Sequence, residues 1–357
     1  MRTLGVLLAT VLPFLLHSAN GPWTLGARLH YGSLWPHSRS SWILVQGHAV
    51  GGEVFAERRL LGDREWQRDY RGPSVGFGFL YADMGAPELI GASYRLVPYV
   101  FLPIAEGRNS CFGTRLGWGV GYISQAFDRR ENTKQIAIGS RVNTAIQVML
   151  EYRVRMDRTT IHTGLSLDHW SNGAVALPNL GLNLVTANVG LSYALGAVTP
   201  YVHVPDTARM KRPLREQSVV LAGSVCEVAR PVSGTHSVFS LIGNVQWRVT
   251  RKSSFGCGFD VFNKGTLGTL YPELLEKPRS AYTQVAVHGG YALGFGRGEL
   301  LFQMGAYAYT PKPETSIIFH RFGMRYRIGK HLLAHMSLKS HYATADHWEF
   351  GLGYRWN

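Results

Sequence analysis

Three cysteines in 357 residues, Cys111, Cys226 and Cys257, are too few and too scattered for a disulfide framework, and none has metal-ligand spacing. They read as small apolar fillers or at most one bridge. After the first residues, no stretch approaches the roughly 20 continuous apolar residues of a membrane helix, because Gly, Arg, Asn and Glu interrupt every candidate. A membrane role would therefore require strands. Acidic residues are also scarce, with 23 Asp and Glu against 37 Lys and Arg, a formal charge of +14. Histidine is plentiful at 14 residues, but paired spacing is missing except at His331 and His335. On a strand those two share a face about 13 Å apart, too far for one ion, so no metal or cofactor is expected.

The N-terminus carries Met1-Arg2, an apolar run from Leu4 to Leu16 and a small-residue exit at His17-Ser18-Ala19. Residues 1–19 therefore read as a secretory signal peptide. Its removal takes away Arg2 and leaves +13. For an exported basic chain, anionic lipid or lipopolysaccharide phosphate is the expected partner and nucleic acid is not. The equally plain reading is that arginines line a polar barrel interior.

Strand signals are abundant. In Arg115 to Tyr122, residues Leu116, Trp118, Val120 and Tyr122 share one face, opposite only Arg and Gly. Phe322, Met324, Tyr326 and Ile328 lie in the same way opposite Arg321, Gly323, Arg325 and Arg327, and Trp348 to Trp356 repeats the pattern. An Arg/Gly-rich face suits a wet lumen whose opposite side meets hydrocarbon, not the core of a soluble sandwich. Sixteen candidate segments predict an all-β fold: one antiparallel transmembrane barrel over residues 20–357, of about 12 to 16 strands with 14 favoured. Segments Leu61 to Gly72, Asp128 to Gln135 and Val204 to Gln217 read as extracellular loops. The last clusters Arg209, Lys211, Arg212 and Arg215, a solvated loop or a contact for lipopolysaccharide phosphate. The aromatic-rich C-terminus resembles the signal read by the barrel assembly machinery, with Asn357 following Trp356. Nothing in the sequence fixes an oligomeric state.

One strand face carries chemistry. Alternation in Leu165 to Ser171 places Leu165, Leu167, His169 and Ser171 together. In the next strand, Asn183 shares the face of Val185, Ala187, Val189, Leu191 and Tyr193. Side chains at i and i+2 start about 6.5 to 7 Å apart at Cα, so an imidazole can reach a serine hydroxyl. The histidine could take the proton as serine attacks a carbonyl, provided a third group fixes its tautomer. An outward His and Ser beside lipid would otherwise be costly.

The run His169-Trp170-Ser171-Asn172-Gly173-Ala174, followed by Pro178-Asn179-Leu180-Gly181-Leu182-Asn183, resembles the signature of the lipid A 3-O-deacylase family, the acyloxyacyl hydrolase-like outer-membrane proteins. The likeness is strongest over Gly164 to Tyr193 and weaker at His30-Tyr31-Gly32, at His37-Ser38 and over Ala343 to Tyr354. It implies a cofactor-independent outer-membrane serine esterase acting on lipid A. Ser171 would be the nucleophile, His169 the base, and Asn172 with the Gly173 amide the oxyanion donors. Two departures stand out. Asn183 occupies the place of the glutamate that orients the histidine in the family. The chain is also about twice the length that the family's eight-stranded barrel needs. Loss of that carboxylate weakens support for the imidazolium, which makes a catalytically silent structural or lipopolysaccharide-binding barrel the competing expectation. By parity Asp168 faces away, whereas Asn143, Gln147 and Glu151 could approach from the preceding strand. A diffusion channel through an Arg/Gly-lined lumen is a third possibility.

Overall fold

The computed structural model describes residues 21–198, 201, 214–228, 234–342 and 344–356. The signal-peptide segment 1–19 and the cations Arg209, Lys211 and Arg212 lie outside the described residues. Among the described residues sixteen antiparallel strands are present, within the expected 12 to 16, and they close into two barrels of eight rather than the expected single barrel. The chain divides accordingly into two compact units, residues 1–172 with 178–206 and residues 173–177 with 207–357.

The first barrel comprises β1 (Trp23–Leu34), β2 (Ala49–Arg59), β3 (Ser74–Asp83), β4 (Ala92–Glu106), β5 (Ser110–Ile123), β6 (Val142–Met156), β7 (Thr159–Ser171) and β8 (Leu182–Ala194). It closes where β1 meets β8, from Thr24 opposite Ala194 to Leu34 opposite Leu184. Closure leaves no unpaired edge, which a sheet in lipid requires. Alternation sets the faces: Leu165, Val189 and Leu191 point outward and are 57–60% exposed, while His162, Ser166, Asp168 and Asn188 point inward and are buried.

The lumen of this barrel is filled by ion pairs. Glu53 accepts from Arg115 at 2.6 Å and Arg95 at 2.8 Å, with Arg28 at 3.6 Å. Arg95 also pairs with Asp168, and Glu151 takes Arg28 at 2.7 Å and Arg153 at 3.0 Å. These side chains are almost wholly shielded, so each charge depends on its partners. Arg28, Arg95, Arg115 and Arg153 are thus matched by Glu53, Glu57, Glu151 and Asp168 inside this barrel.

At one end, the loops after β1, β3, β5 and β7 meet over an apolar cluster that includes Leu44, Met84, Ile90, Ile138, Trp170 and Leu182. At the other end β4 and β5 are joined by residues 107–109, and β6 and β7 by residues 157–158. Long connections at one rim and short ones at the other are usual for outer-membrane barrels, whose long loops are extracellular. Segment Leu61 to Gly72 joins β2 to β3 at the short-turn end and carries a helix at Glu65–Asp69, which corrects its reading as an extracellular loop.

The second barrel comprises β9 (Arg215–Cys226), β10 (His236–Arg248), β11 (Ser253–Lys264), β12 (Thr283–Phe295), β13 (Gly298–Tyr309), β14 (Ile318–Ile328), β15 (Leu332–His341) and β16 (Thr344–Trp356). It closes between β16 and β9, with Phe350 opposite Gly223 and Trp356 opposite Gln217. Its interior is likewise charged and buried. Arg321 pairs with Glu349 at 2.6 Å and with Asp260 at 2.9 Å, while Asp346 takes Lys339 at 2.7 Å and Lys264 at 2.9 Å. Of the segment Val204 to Gln217, residues 204–213 lie outside the described residues, and Arg215 is the first residue of β9. All three cysteines are free thiols.

Candidate functional site

The inward residue Trp170 fixes the outward ones. Its ring is 0% exposed, in the apolar cluster under the rim loops. A Cβ on Gly121 would collide with that ring, so the glycine on β5 makes room for it. With Trp170 locked inside, strand alternation turns His169 and Ser171 to the outer face. Asp168, also inward, is held by Arg95 and by the Ser166 hydroxyl, which donates to it at 2.8 Å.

Register supplies the third residue. His169 stands directly opposite Asn183 in the β7–β8 pair. Directly opposed side chains are about 4.5–5.5 Å apart at Cβ, within hydrogen-bonding reach for an imidazole and an amide. The Asn183 Oδ1 accepts from His169 Nδ1 at 2.7 Å. Since the amide oxygen can only accept, Nδ1 carries the proton and Nε2 presents its lone pair, the tautomer a general base needs.

Ser171 is only 6% exposed although it belongs to the outer face. The loop after β7 folds back over it. Asn179 Nδ2 donates to the Ser171 hydroxyl at 3.0 Å, and Asn179 Oδ1 accepts from the Asn172 backbone N–H at 3.0 Å. Asn172 Nδ2 donates to Ser140 Oγ at 3.1 Å, tying this loop to the one before β6. The turn requires left-handed backbone at Gly173, Ala174 and Gly181, with φ of 65°, 64° and 80°. Gly181 is constrained twice, since a Cβ there would lie 2.7 Å from His169 Cε1 and 3.3 Å from Nε2. Gly173 groups with the second compact unit.

Two members were not singled out from sequence. Asn179 belongs to the Pro-Asn turn of the motif, but its contact with Ser171 depends on loop closure. His37 comes from the loop after β1. The Trp35 N–H donates to the Asn183 carbonyl at 2.8 Å, continuing the β1–β8 pairing past Leu34 and bringing the following residues alongside β8. Asn183 Nδ2 then donates to His37 Nδ1 at 3.3 Å. Asn143, Gln147 and Glu151, the alternatives on β6, are buried inward-facing residues, and Glu151 is engaged by Arg28, Arg153 and His162. The positions opposite His169 and Ser171 on β6 are Ile146 and Thr144.

The second barrel contains an instructive contrast. His335 and Ser337 on β15 have the same i, i+2 spacing and are 2.8 Å apart, so the spacing does bring imidazole and hydroxyl together. Both face the lumen and are buried. Ser337 donates its only proton to Glu349 at 2.6 Å, which forces His335 Nε2 to donate to the hydroxyl. The histidine is thus a donor rather than a base, without an opening to substrate. A cavity of about 150 Å³ in the first unit, lined by Glu57, Arg59, Arg153, Arg155 and Arg158, lies at the short-turn end, away from His169. The candidate site is an outer-surface rim.

Comparison with known families matches both barrels. Residues 50–192 match the model for lipid A 3-O-deacylase (PagL), and residues 215–357 match the model for the acyloxyacyl hydrolase C-terminal domain. The chain belongs to the PagL family. The first match runs from β2 into β8 and contains the His169, Ser171 and Asn183 constellation; the second spans the whole of the other barrel. Among solved structures, the outer-membrane enzyme PagL is similar at 15% identity and a TM-score of 0.33, over 47% of this chain and 97% of that one. A Rhodopseudomonas blastica porin variant aligns over 94% and 99% at 7% identity and a TM-score of 0.18. The β domain of the Bordetella autotransporter BrkA aligns over 95% and 100% at 12% identity and a TM-score of 0.24. The comparison with curated proteins gives no match. The PagL family and the barrel fold together point to the outer membrane.

Proposed function

We propose that this chain is an outer-membrane serine esterase that removes an ester-linked acyl chain from lipid A or a related acylated glycolipid. The observation carrying this reading is the 2.7 Å bond from His169 Nδ1 to Asn183 Oδ1 on the outer rim beside Ser171, which leaves Nε2 as the proton acceptor. An acylated glycolipid in the outer leaflet would present its ester at that height, with acyl chains along the apolar face of β7 and β8.

In the proposed reaction, the Ser171 hydroxyl turns its proton to His169 Nε2 as Oγ attacks the ester carbonyl. Asn179 Nδ2 continues to donate to Oγ and holds it in place. The Gly173 amide and the second side-chain N–H of Asn172 are the proposed donors to the tetrahedral oxyanion. The imidazolium returns its proton to the departing sugar alkoxide. Water, deprotonated by His169, then hydrolyses the acyl-serine and releases free fatty acid. Asn183 keeps the imidazole oriented throughout but supplies no negative charge to the imidazolium.

That missing charge favours one competing reading: a silent family member that binds lipopolysaccharide or serves as a barrel scaffold. Lipid A mass spectra from cells expressing wild type, Ser171→Ala, His169→Ala and Asn183→Glu separate the two. Loss of one acyl chain in wild type, abolished by either alanine, supports the esterase. Unchanged lipid A in wild type with deacylation only in Asn183→Glu supports the silent reading.

A further inference from the structure

The third residue of this constellation has an orientation problem that a carboxylate does not have. A carboxylate presents two equivalent acceptor oxygens to an imidazole. An asparagine amide presents an acceptor at one end and a donor at the other, and rotation by half a turn about its last side-chain bond exchanges them. With Oδ1 toward His169, Nδ1–H is stabilised and Nε2 is the base. With Nδ2 toward His169, the favoured tautomer reverses and Nε2 carries the proton, which cannot then come from serine. An uncharged third residue therefore needs something to hold its orientation.

His37 is placed to do this. Its Nδ1 lies 3.3 Å from Asn183 Nδ2, on the side of the amide away from His169. In the tautomer with its proton on Nε2, His37 presents a lone pair at Nδ1 that accepts only from the nitrogen end of the amide, so in that tautomer the contact favours the orientation in which Oδ1 meets His169. Backbone pairing fixes the approach of the loop, because Trp35 N–H is bonded to the carbonyl of Asn183 itself.

We propose that His37 is a positioning residue of the esterase site: it orients the Asn183 amide and thereby sets the tautomer of His169. The proposal rests on the esterase reading for its kinetic consequence but not for its structural one. It implies that His37 is needed only because residue 183 is an amide, and that a symmetric carboxylate there would make it dispensable.

The test is a double-substitution cycle on the full-length protein in detergent micelles, with His37→Leu, His37→Gln, Asn183→Asp and the double variant His37→Leu/Asn183→Asp. Hydrolysis of purified lipopolysaccharide and ¹⁵N chemical shifts of the His169 ring are read in parallel. In the Asn183 background, His37→Leu lowers kcat about fivefold with little change in KM, as expected for an orienting hydrogen bond, and His37→Gln, which retains an acceptor, restores most of it. In the Asn183→Asp background the leucine substitution changes kcat by less than about twofold, the limit expected when the coupling is absent. The ring spectrum shows an unprotonated Nε2 in the parent, a mixture of tautomers in His37→Leu, and recovery in His37→Gln. Equal losses in both backgrounds, or an unaltered His169 tautomer in His37→Leu, overturn the proposal. If no variant releases fatty acid, the esterase reading fails and the ring spectrum alone decides whether His37 orients the amide.

Discussion

Replacing Asn183 by aspartate adds a charge beside the base within the same heavy-atom skeleton, at the cost of the amide N–H that meets His37. The acceptor oxygen stays at the 2.7 Å position opposite His169 Nδ1, so proximity and tautomer are retained. What changes is the imidazolium formed during acylation, which gains a neighbouring anion. Two unit charges about 4 Å apart interact by about 4 kcal/mol at an effective dielectric of about 20. Both residues are half-buried at the rim, where water screens the pair, so about half of this remains, roughly 2 kcal/mol. The transition state carries the imidazolium and the resting enzyme does not, so the gain appears in kcat as an increase of about 30-fold. The assay is single-turnover release of fatty acid from lipopolysaccharide in micelles, with Ser171→Ala as the blank. A rate within about threefold of wild type for a correctly folded Asn183→Asp would refute the reasoning, since a base that forms a cation at His169 must sense this charge.

Other expectations follow from the packing and from the barrel interior. Glu53→Gln leaves Arg28, Arg95 and Arg115 without their common carboxylate in a shielded lumen, and should cost about 3–5 kcal/mol in a urea titration of folded barrel; a loss below about 1 kcal/mol would show the network to be incidental. Gly181→Ala adds a strained left-handed residue, costing about 1–3 kcal/mol, and places a methyl 3.3 Å from the His169 Nε2. It should lower hydrolysis far more than lipid binding, and equal loss of both would place the effect in folding instead. Val189→Arg on the outer face should destabilise the membrane-embedded barrel by about 2–4 kcal/mol if its depth is near mid-bilayer, whereas its inward neighbour Asn188 tolerates polar replacement. Planar bilayers containing the protein should show no steady conductance, because buried ion pairs fill both interiors; a stable open channel would contradict that packing.

Period-two patterning made the strands and their faces legible. Phe322, Met324, Tyr326 and Ile328 alternate with buried Arg321, Gly323, Arg325 and Arg327, as a strand with an outward apolar and an inward Arg/Gly face should. The pattern also placed His169, Ser171 and Asn183 outward and Asp168 inward. It says nothing about which strand closes upon which. Two barrels of eight and one of sixteen have the same alternation in every strand, so the decisive pairs, Thr24 with Ala194 and Phe350 with Gly223, have no local signature. The length that seemed to call for a wider lumen is instead used for a second closed barrel, which the second family match spans completely.

The same limit explains the site residues that parity left out. Asn179 reaches Ser171 because the turn with left-handed Gly173, Ala174 and Gly181 folds back over the strand end, and His37 reaches Asn183 because β1 closes against β8. Both contacts are products of closure rather than of spacing. They also change how Asn183 is read. Considered in sequence, it is a lost carboxylate. In the barrel it is an amide whose two ends are both used, oxygen to His169 and nitrogen to His37, so tautomer control survives where charge stabilisation does not. Those two contributions are separable in kind: tautomer control decides whether His169 can accept a proton at all, and charge decides how well the resulting cation is tolerated. A site with the first and without the second is expected to turn over slowly through the same serine, with the deficit confined to kcat and recoverable by one acidic substitution.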